Sequence, residues 1–214
     1  MPLPDSGFDV VAAFYDPLAR LVYGRALQRA QEAALTALPK GAPQVLVIGG
    51  GTGWVLGEIL KRRPEARIVY LEASPRMIAR SQEFLRSQAP TRYAQVEFRL
   101  GTEAALQTTE QFDAIITFFF LDLFEPGRLR LLTSRLYAAR HRAAPWLVAD
   151  FGVPRTWWHR VLLATMYRFF GLTTGISARQ RPPIEAALGQ LGMQRRVVGT
   201  FFGAMVEAAE WTQE

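Results

Sequence analysis

The chain has 214 residues and half of them are hydrophobic, which suffices for the core of one domain of ordinary size and excludes a largely disordered chain. It has no cysteine and two histidines, which excludes disulfides, thiolate metal sites and cysteine nucleophiles, disfavours a histidine-built zinc site, and predicts no bound metal. The net charge is +6, but the arginines that supply it are spread along the chain, which disfavours nucleic acid as a partner.

A cap of one or two helices is predicted over Phe8–Leu38, followed by a turn at residues 39–43. Apolar β-branched runs then alternate with helical patterns, and this alternation is typical of an α/β domain with a parallel sheet. The predicted strands are Gln44–Ile48, Arg67–Glu72, Ala94–Leu100, Phe112–Phe119 and Trp146–Phe151, with helices near Trp54–Arg62, Pro75–Gln88 and Pro126–Arg140 between them.

The C-terminal part breaks this alternation. A helix that is apolar almost all round is predicted at Thr156–Phe170 and a short helix at Ile184–Leu191, so residues 152–192 are interpreted as a helical insert. Two strands, Gln194–Phe202 and Ala204–Trp211, are joined tightly at Gly203 and predict an antiparallel hairpin at the end of the sheet.

The most informative stretch is Val-Leu-Val-Ile-Gly-Gly-Gly-Thr-Gly at residues 45–53. A buried strand that enters a glycine loop before a helix lets a ligand approach the backbone and meet helix N–H groups. The alternative is a plain tight turn, which four glycines in five positions disfavour because each costs backbone entropy. A dinucleotide fingerprint is absent, since Trp54 and Leu56 occupy the third small position, and no phosphate-loop Gly-Lys-Ser/Thr exists.

Glu72 ends the second predicted strand, 19 residues after Gly53. The two oxygens of a carboxylate at that place can accept hydrogen bonds from the two hydroxyls of a ribose. The alternative is a charge that faces solvent. Loop and acid together predict a nucleoside-binding site.

These motifs resemble those of the class I S-adenosylmethionine-dependent methyltransferases. Residues 69–75, 96–103, 112–117 and 147–151 also carry the resemblance, which extends over about residues 8–211. It implies one α/β domain over residues 1–214, with a Rossmann-like, seven-stranded, mostly parallel sheet, a C-terminal antiparallel hairpin, helices on both faces and an N-terminal helical cap. It also implies S-adenosyl-L-methionine as the cofactor.

The same resemblance implies which residues bind the cofactor. The chain departs from the family at Val47, where many members carry an acid, and at the residue after Gly101, where an acid is common. The implied set is Gly49, Gly50, Gly51, Thr52 and Gly53 along the methionine portion, Glu72 at the ribose, Ala73 and Ser74 beside the adenine, Thr102 and Glu103 near the adenine amino group, and Phe118 after strand four.

Four residues are candidates for the catalytic side of the site. Asp122 and Asp150 lie near the ends of strands four and five, where open α/β sheets bind ligands, and Asp150 is favoured because a buried acid needs a partner. The alternative for Asp122 is a cap. His159 is the best-placed candidate base, because histidine is the side chain suited to proton transfer near neutral pH, and packing beside two tryptophans is the alternative. Tyr15 follows Phe14 in a pattern that resembles the quinone-biosynthesis C-methyltransferases, which makes it a candidate lid residue, with core packing as the alternative.

The helix around Trp157–Phe170 has three interpretations: a core helix, a wall of an apolar acceptor pocket, or an interfacial helix with arginines at lipid headgroups. The last would give the protein a peripheral membrane contact. No apolar run approaches the ~20 residues of a membrane span. Residues 1–5 lack the features of a secretory signal, so we expect a cytoplasmic protein.

We therefore predict a methyltransferase that acts on a small apolar or aromatic acceptor by O- or C-methylation. One alternative is a protein that binds S-adenosylmethionine without turnover, and a further one is an RNA methyltransferase. The run Val-Leu-Val-Ile-Gly-Gly-Gly also resembles the aminopropyltransferases that make spermidine. That function is disfavoured because those enzymes need acids to hold a polycationic amine and this chain is basic.

Overall fold

A seven-stranded sheet organises the chain, of which the computed structural model describes residues 22–173 and 180–213, with the backbone alone at residues 169–173. The strands are β1 Gln44–Ile48, β2 Arg67–Glu72, β3 Val96–Leu100, β4 Ala114–Phe118, β5 Trp146–Phe151, β6 Gln194–Phe201 and β7 Val206–Thr212. Their order is β3-β2-β1-β4-β5-β7-β6. The first five are parallel, and β7 runs antiparallel to β5 and β6, which confirms the predicted fold class.

Helices cover both faces of this sheet. They are α1 Ala26–Ala34, α2 Trp54–Arg62, α3 Pro75–Gln88, α4 Pro126–Ala138, α5 Trp157–Thr173 and α6 Ile184–Gly189. Residues of α1, α2, α3 and α5 share one apolar core, and those of α4 and α6 share the other. Proline starts both α3 and α4, where its missing N–H would have no helical partner in any case. Within residues 22–173 and 180–213, no helix has the length and apolarity needed to cross a bilayer.

The bounds of β3, β4 and β7 differ from the prediction for local reasons. β3 begins at Val96 because Pro90–Gln95 form a 3-10 turn. β4 is shorter than predicted at both ends, since Phe112 makes an isolated bridge to Arg140 and Phe119 adopts a left-handed φ of 51°. β7 begins at Val206 because the hairpin turn takes three successive left-handed residues, at positions 202–204.

The centre of the sheet is buried on both sides. β4 and β5 contain no exposed residue, and the indole N–H of Trp146 donates to the Thr117 hydroxyl at 2.9 Å, so the polar atoms of both buried side chains are paired. Val47, at the position where many family members carry an acid, is 1% exposed and belongs to the apolar core. Because the first five strands are parallel, their C-terminal ends meet at one edge of the sheet. The described residues of the predicted site that belong to β1–β5, or to the turns after these strands, lie at this edge.

Candidate functional site

The glycine loop joins β1 to α2 through three left-handed residues. Gly49, Gly51 and Gly53 have φ values of 68°, 62° and 88°, a region that residues with a side chain enter only at a cost. Gly53 directly precedes α2, and a Cβ there would lie 2.6 Å from the Cβ of Ser81 and 2.7 Å from its Cα. Gly53 thus lets α3 pack directly against the loop.

Side chains pack closely against the loop at Gly49 and Gly50 but leave free space beside Gly51. A Cβ on Gly49 would meet the Phe120 ring at 2.2 Å, and a Cβ on Gly50 would meet the Tyr70 ring at 2.4 Å. A Cβ on Gly51 would have no heavy atom within 4 Å. The loop is therefore walled by two aromatic rings, and Gly51 presents the backbone that a ligand can approach.

Glu72 connects the end of β2 to this loop. Its Oε2 accepts a hydrogen bond from the Gly51 N–H at 3.2 Å and its Oε1 accepts one from the Ser74 N–H at 3.0 Å. The Tyr70 hydroxyl donates to the Gly51 carbonyl at 2.8 Å. The carboxylate is 8% exposed and is held toward the open part of the loop. Each of its oxygens has two lone pairs, so the orientation suits a diol as well as the loop.

The residues expected beside the adenine have structural tasks of their own. The Ser74 hydroxyl caps α3 by accepting from the Met77 N–H at 3.1 Å, and the serine is fully buried. Thr102 caps the 3-10 turn Glu103–Ala105. Glu103 forms an ion pair with Arg128, with both carboxylate oxygens at 2.7 Å from guanidinium nitrogens. Ala73 is half-buried between β2 and the cap.

Three phenylalanines at the end of β4 shape the next part of the edge. Phe118 is the last residue of β4 rather than the first after it, and it is buried in the core. The left-handed conformation of Phe119 then turns the chain sharply. That turn brings Phe120 over Gly49. Phe120 was not among the predicted site residues; the adjacency of β4 to β1 in such sheets is the signal that points to it.

Asp122 and Asp150 form a buried acid pair at the same edge, as their positions after β4 and in β5 predicted. Their side chains are 2% and 4% exposed. Asp122 Oδ2 accepts from the Tyr167 hydroxyl at 3.3 Å, and Asp150 Oδ1 accepts from the Phe151 N–H at 2.8 Å. The remaining oxygens, Asp122 Oδ1 and Asp150 Oδ2, have no donor when both groups are ionised. A single proton held between the two carboxyls would supply the missing donor.

Burial governs the acid-base chemistry of this pair. Loss of solvation raises the pKa of Asp122 from 3.8 to about 6, against hydrogen bonds from Tyr167 and Asp150 and the charge of Arg181. Burial, followed by the negative charge of Asp122, raises the pKa of Asp150 well above its usual range. Burial next to the two acids also raises the pKa of Tyr167. Burial therefore makes the pair retain a proton to higher pH than two exposed carboxyls would.

Arg181 supplies the positive charge that faces the pair. Its Nε donates to the Phe151 carbonyl at 2.5 Å, and its guanidinium forms an ion pair with Glu185. These contacts raise the pKa of Arg181 against the effect of burial, so it remains charged. Tyr167 and Arg181 both come from the segment predicted as an insert, and neither was among the predicted site residues. Tyr167 could have been found from its spacing, because it follows His159 by eight residues on one helix face.

His159 is buried but lies apart from any described hydrogen-bond partner. It is 1% exposed, packs edge-on against Trp158 with ring centroids 3.9 Å apart, and both ring nitrogens have no partner. Its Nε2 lies 3.4 Å from where a Cβ of Gly203 would be, next to the β6–β7 turn. Among described residues, no contact joins it to the acid pair. Tyr15 and residues 8–21 of the predicted cap Phe8–Leu38 lie outside the described residues, whereas α1, in the described part of the cap, packs against β5, β6 and β7.

The edge thus combines an open loop with an adjacent acid and, two strands away, a carboxyl pair of raised pKa. The first can hold a nucleoside, and the second can accept or donate a proton near neutral pH. Among the described parts of the chain, no three acidic or histidine side chains are grouped so that they could hold a metal ion.

Comparisons with known proteins agree with this geometry. Residues 46–140 match a family profile described as a methyltransferase domain. In sequence, the chain is 31% identical over 110 residues to the polyamine aminopropyltransferase of Erwinia tasmaniensis. That match covers 49% of this chain and 38% of the relative, so the chain spans well under half of the length of that relative.

Solved structures share the fold at lower identity. An O-methyltransferase family protein from Burkholderia thailandensis superposes with a TM-score of 0.68 at 15% identity, over 94% of this chain and 59% of that one. The magnesium protoporphyrin IX methyltransferase of Synechocystis, solved with bound S-adenosylhomocysteine, superposes with a TM-score of 0.65 at 20% identity, over 88% and 83% of the two chains.

Proposed function

We propose that this chain is a class I S-adenosylmethionine-dependent methyltransferase and that it transfers a methyl group to oxygen or carbon of a small apolar or aromatic acceptor. The single observation that supports this most is the open backbone at Gly51 joined to Glu72. A nucleoside cofactor needs a loop that it can approach closely and a carboxylate for its ribose, and both lie at the carboxyl edge of the sheet.

S-adenosylmethionine, when bound, supplies an electrophilic methyl group for in-line displacement. Glu72 would hold its ribose and Gly51 would lie along its methionine part, and the aromatic wall of Phe120 and Tyr70 would exclude water beside the loop. Asp122 is ionised above about pH 6 and accepts the proton of an acceptor hydroxyl or activated carbon. Asp150 keeps the shared proton and so fixes the orientation of the Asp122 carboxylate.

Glu72→Ala is expected to weaken S-adenosylhomocysteine binding by ~1.5–3 kcal/mol, because hydrogen bonds to a charged group are lost and the loop loses its anchor. Isothermal titration measures this, with thermal unfolding to verify the fold. Glu83→Ala, an exposed acid on α3, is the matched control and should leave the affinity unchanged. Equal affinity of Glu72→Ala and the parent protein contradicts the ribose role.

Asp122→Asn is expected to lower methyl transfer to a phenolic or quinol acceptor by ~100-fold or more, since a general base contributes that much. The assay is transfer of label from S-adenosylmethionine. In the parent protein the rate should rise through about pH 6 as Asp122 ionises, and the variant should lose this rise. Asp113→Asn, an exposed acid before β4, serves as control. Cofactor binding without any turnover would favour a protein that has lost the chemistry.

Aminopropyl transfer is a second candidate, because the match to the Erwinia polyamine aminopropyltransferase favours it. The two functions need different donors, since only decarboxylated S-adenosylmethionine carries an aminopropyl group. The basic insert around Arg181 disfavours a polycationic acceptor at this edge. Titration of both donors distinguishes them: tighter binding of the decarboxylated form, with transfer to a diamine, would replace methyl transfer by aminopropyl transfer.

A further inference from the structure

The helix α5 is buried along one stripe only. His159, Leu163 and Tyr167 are 1%, 4% and 4% exposed and face the core, as their spacing of four residues requires. Leu162 and Met166 flank this stripe and are half-buried. The rest of the helix surface, over residues 157–168, faces away from the sheet. The sequence analysis predicted that this helix is apolar almost all round. The apolar side chains on its outward side therefore have no partner within the described residues.

The outward surface combines large apolar side chains with arginines. Trp157 is 76% exposed, Val161 is 57% exposed and Val153, in the loop before the helix, is 59% exposed. Exposed apolar groups of this size in one patch are uncommon on a soluble surface. Arg160 and Arg168 are also exposed and share the helix face with them. We name the surface formed by Val153, Arg155, Trp157, Arg160, Val161 and Arg168 the α5 outer face.

The stretch of sequence that contains this face has an excess of positive charge, and Arg155, Arg160 and Arg168 lie on the face itself. Residues 151–184 contain five arginines and no aspartate or glutamate. The net charge of the chain is +6, so the other residues together carry only +1. Arginines occur all along the sequence, but those in residues 151–184 form an excess of positive charge. In the rest of the chain, taken as a whole, acidic residues nearly balance the basic ones.

We propose that the α5 outer face docks on an anionic membrane surface. Tryptophan prefers the headgroup level of a bilayer, valine adds apolar burial, and arginine reaches lipid phosphates while its stem stays in apolar surroundings. A nucleic acid would match the arginines but leave Val153 and Val161 in water. A second copy of this face would bring arginines against arginines without any acid to pair them. The proposal stands independently of the proposed methyl transfer.

The helix also connects this surface to the acid pair. The outer side of α5 carries Trp157 and Arg160, and its inner side carries Tyr167, which donates to Asp122. Docking of the helix would thus place the carboxyl edge of the sheet next to the lipid headgroups. If the proposed function holds, a lipid-like acceptor could pass from the membrane to the site without crossing water.

The test is flotation of the full chain with vesicles of phosphatidylcholine alone and of phosphatidylcholine containing phosphatidylglycerol. We expect at least tenfold tighter binding to the anionic vesicles, and loss of that difference at high salt. Arg160→Gln with Arg168→Gln should weaken binding by ~25-fold, about fivefold for each charge near the surface. Trp157→Ala should weaken it severalfold with no change in salt dependence.

Arg130→Gln with Leu131→Ala is the matched control, because it removes an exposed arginine and an exposed leucine from α4 on the other face of the sheet. It should bind vesicles as the parent protein does. Equal binding to both vesicle types, binding to neither, or an equal loss in the control overturns the proposal.

Sedimentation velocity gives a further contrary outcome: a dimer that Trp157→Ala dissociates would assign the face to a second copy. Tighter binding of RNA than of anionic vesicles would assign it to nucleic acid.

Discussion

Gly53→Ala is expected to lower the free energy of unfolding by ~2–5 kcal/mol, more than Gly51→Ala does. A φ of 88° costs a residue with a Cβ ~1–2 kcal/mol. The new Cβ would also lie 2.7 Å from the backbone Cα of Ser81, so α3 must shift, and overpacking of this kind costs a further ~1–3 kcal/mol. Urea unfolding of the parent protein and the variant measures the difference.

Gly51→Ala separates backbone strain from packing. Gly51 has a similar left-handed φ of 62° but open space where its Cβ would be, so only the ~1–2 kcal/mol of strain is expected. If the cofactor lies against Gly51 as proposed, the same Cβ would collide with it, so S-adenosylhomocysteine affinity should fall at least tenfold in a protein that still folds. If the two variants are equally destabilised, or if Gly51→Ala binds normally, the loop is not the cofactor cradle described above.

Asp150→Asn is expected to reduce a loss of stability that the parent protein shows as pH rises. Both acids of the pair have a pKa above the usual value, so the folded state keeps protons that the unfolded state releases. The free energy of unfolding therefore falls as pH rises from the unfolded pKa near 3.8 through the folded values. Asp122 alone, with a pKa raised to about 6, accounts for a fall of ~3 kcal/mol, and Asp150 adds to it.

The asparagine amide replaces the shared proton by a permanent donor to Asp122, while its oxygen still accepts from the Phe151 N–H. The variant should thus be more stable than the parent protein at about pH 8 and show a flatter profile between about pH 4 and pH 8. Urea unfolding across this range measures both. Asp113→Asn, at the exposed end of the sheet, should retain the slope of the parent protein. A slope that Asp150→Asn leaves unchanged would show that the pair does not share a proton.

The sequence was sufficient where short-range patterns decide the structure. β1, β2 and β5, with α2 and α3, have the predicted bounds because apolar runs, Pro75 and the glycines define their ends. Glu72 lies beside the loop because parallel neighbours end at one edge. Asp122 and Asp150 were expected at that edge for the same reason.

What escaped prediction depends on side chains that meet across the fold. Phe120 reaches Gly49 only because Phe119 takes a left-handed conformation, which no local pattern announces. Tyr167 and Arg181 approach the acid pair from the insert, whose path over the sheet is set by tertiary packing. Glu103 forms its ion pair with Arg128, which lies 25 positions further along the chain. Such contacts follow from the assembled sheet rather than from periodicity.

The last strand in chain order, β7, lies inside the sheet between β5 and β6. During synthesis on the ribosome, β5 therefore presents an open edge until residues 206–212 have emerged. Most of the surface on which α1 packs belongs to β6 and β7, so α1 cannot pack fully before the same hairpin has formed. An apolar strand with an open edge attracts other chains. The native sheet is thus completed only once the hairpin has been made, and a chain interrupted within the hairpin would keep the β5 edge open and be prone to aggregation.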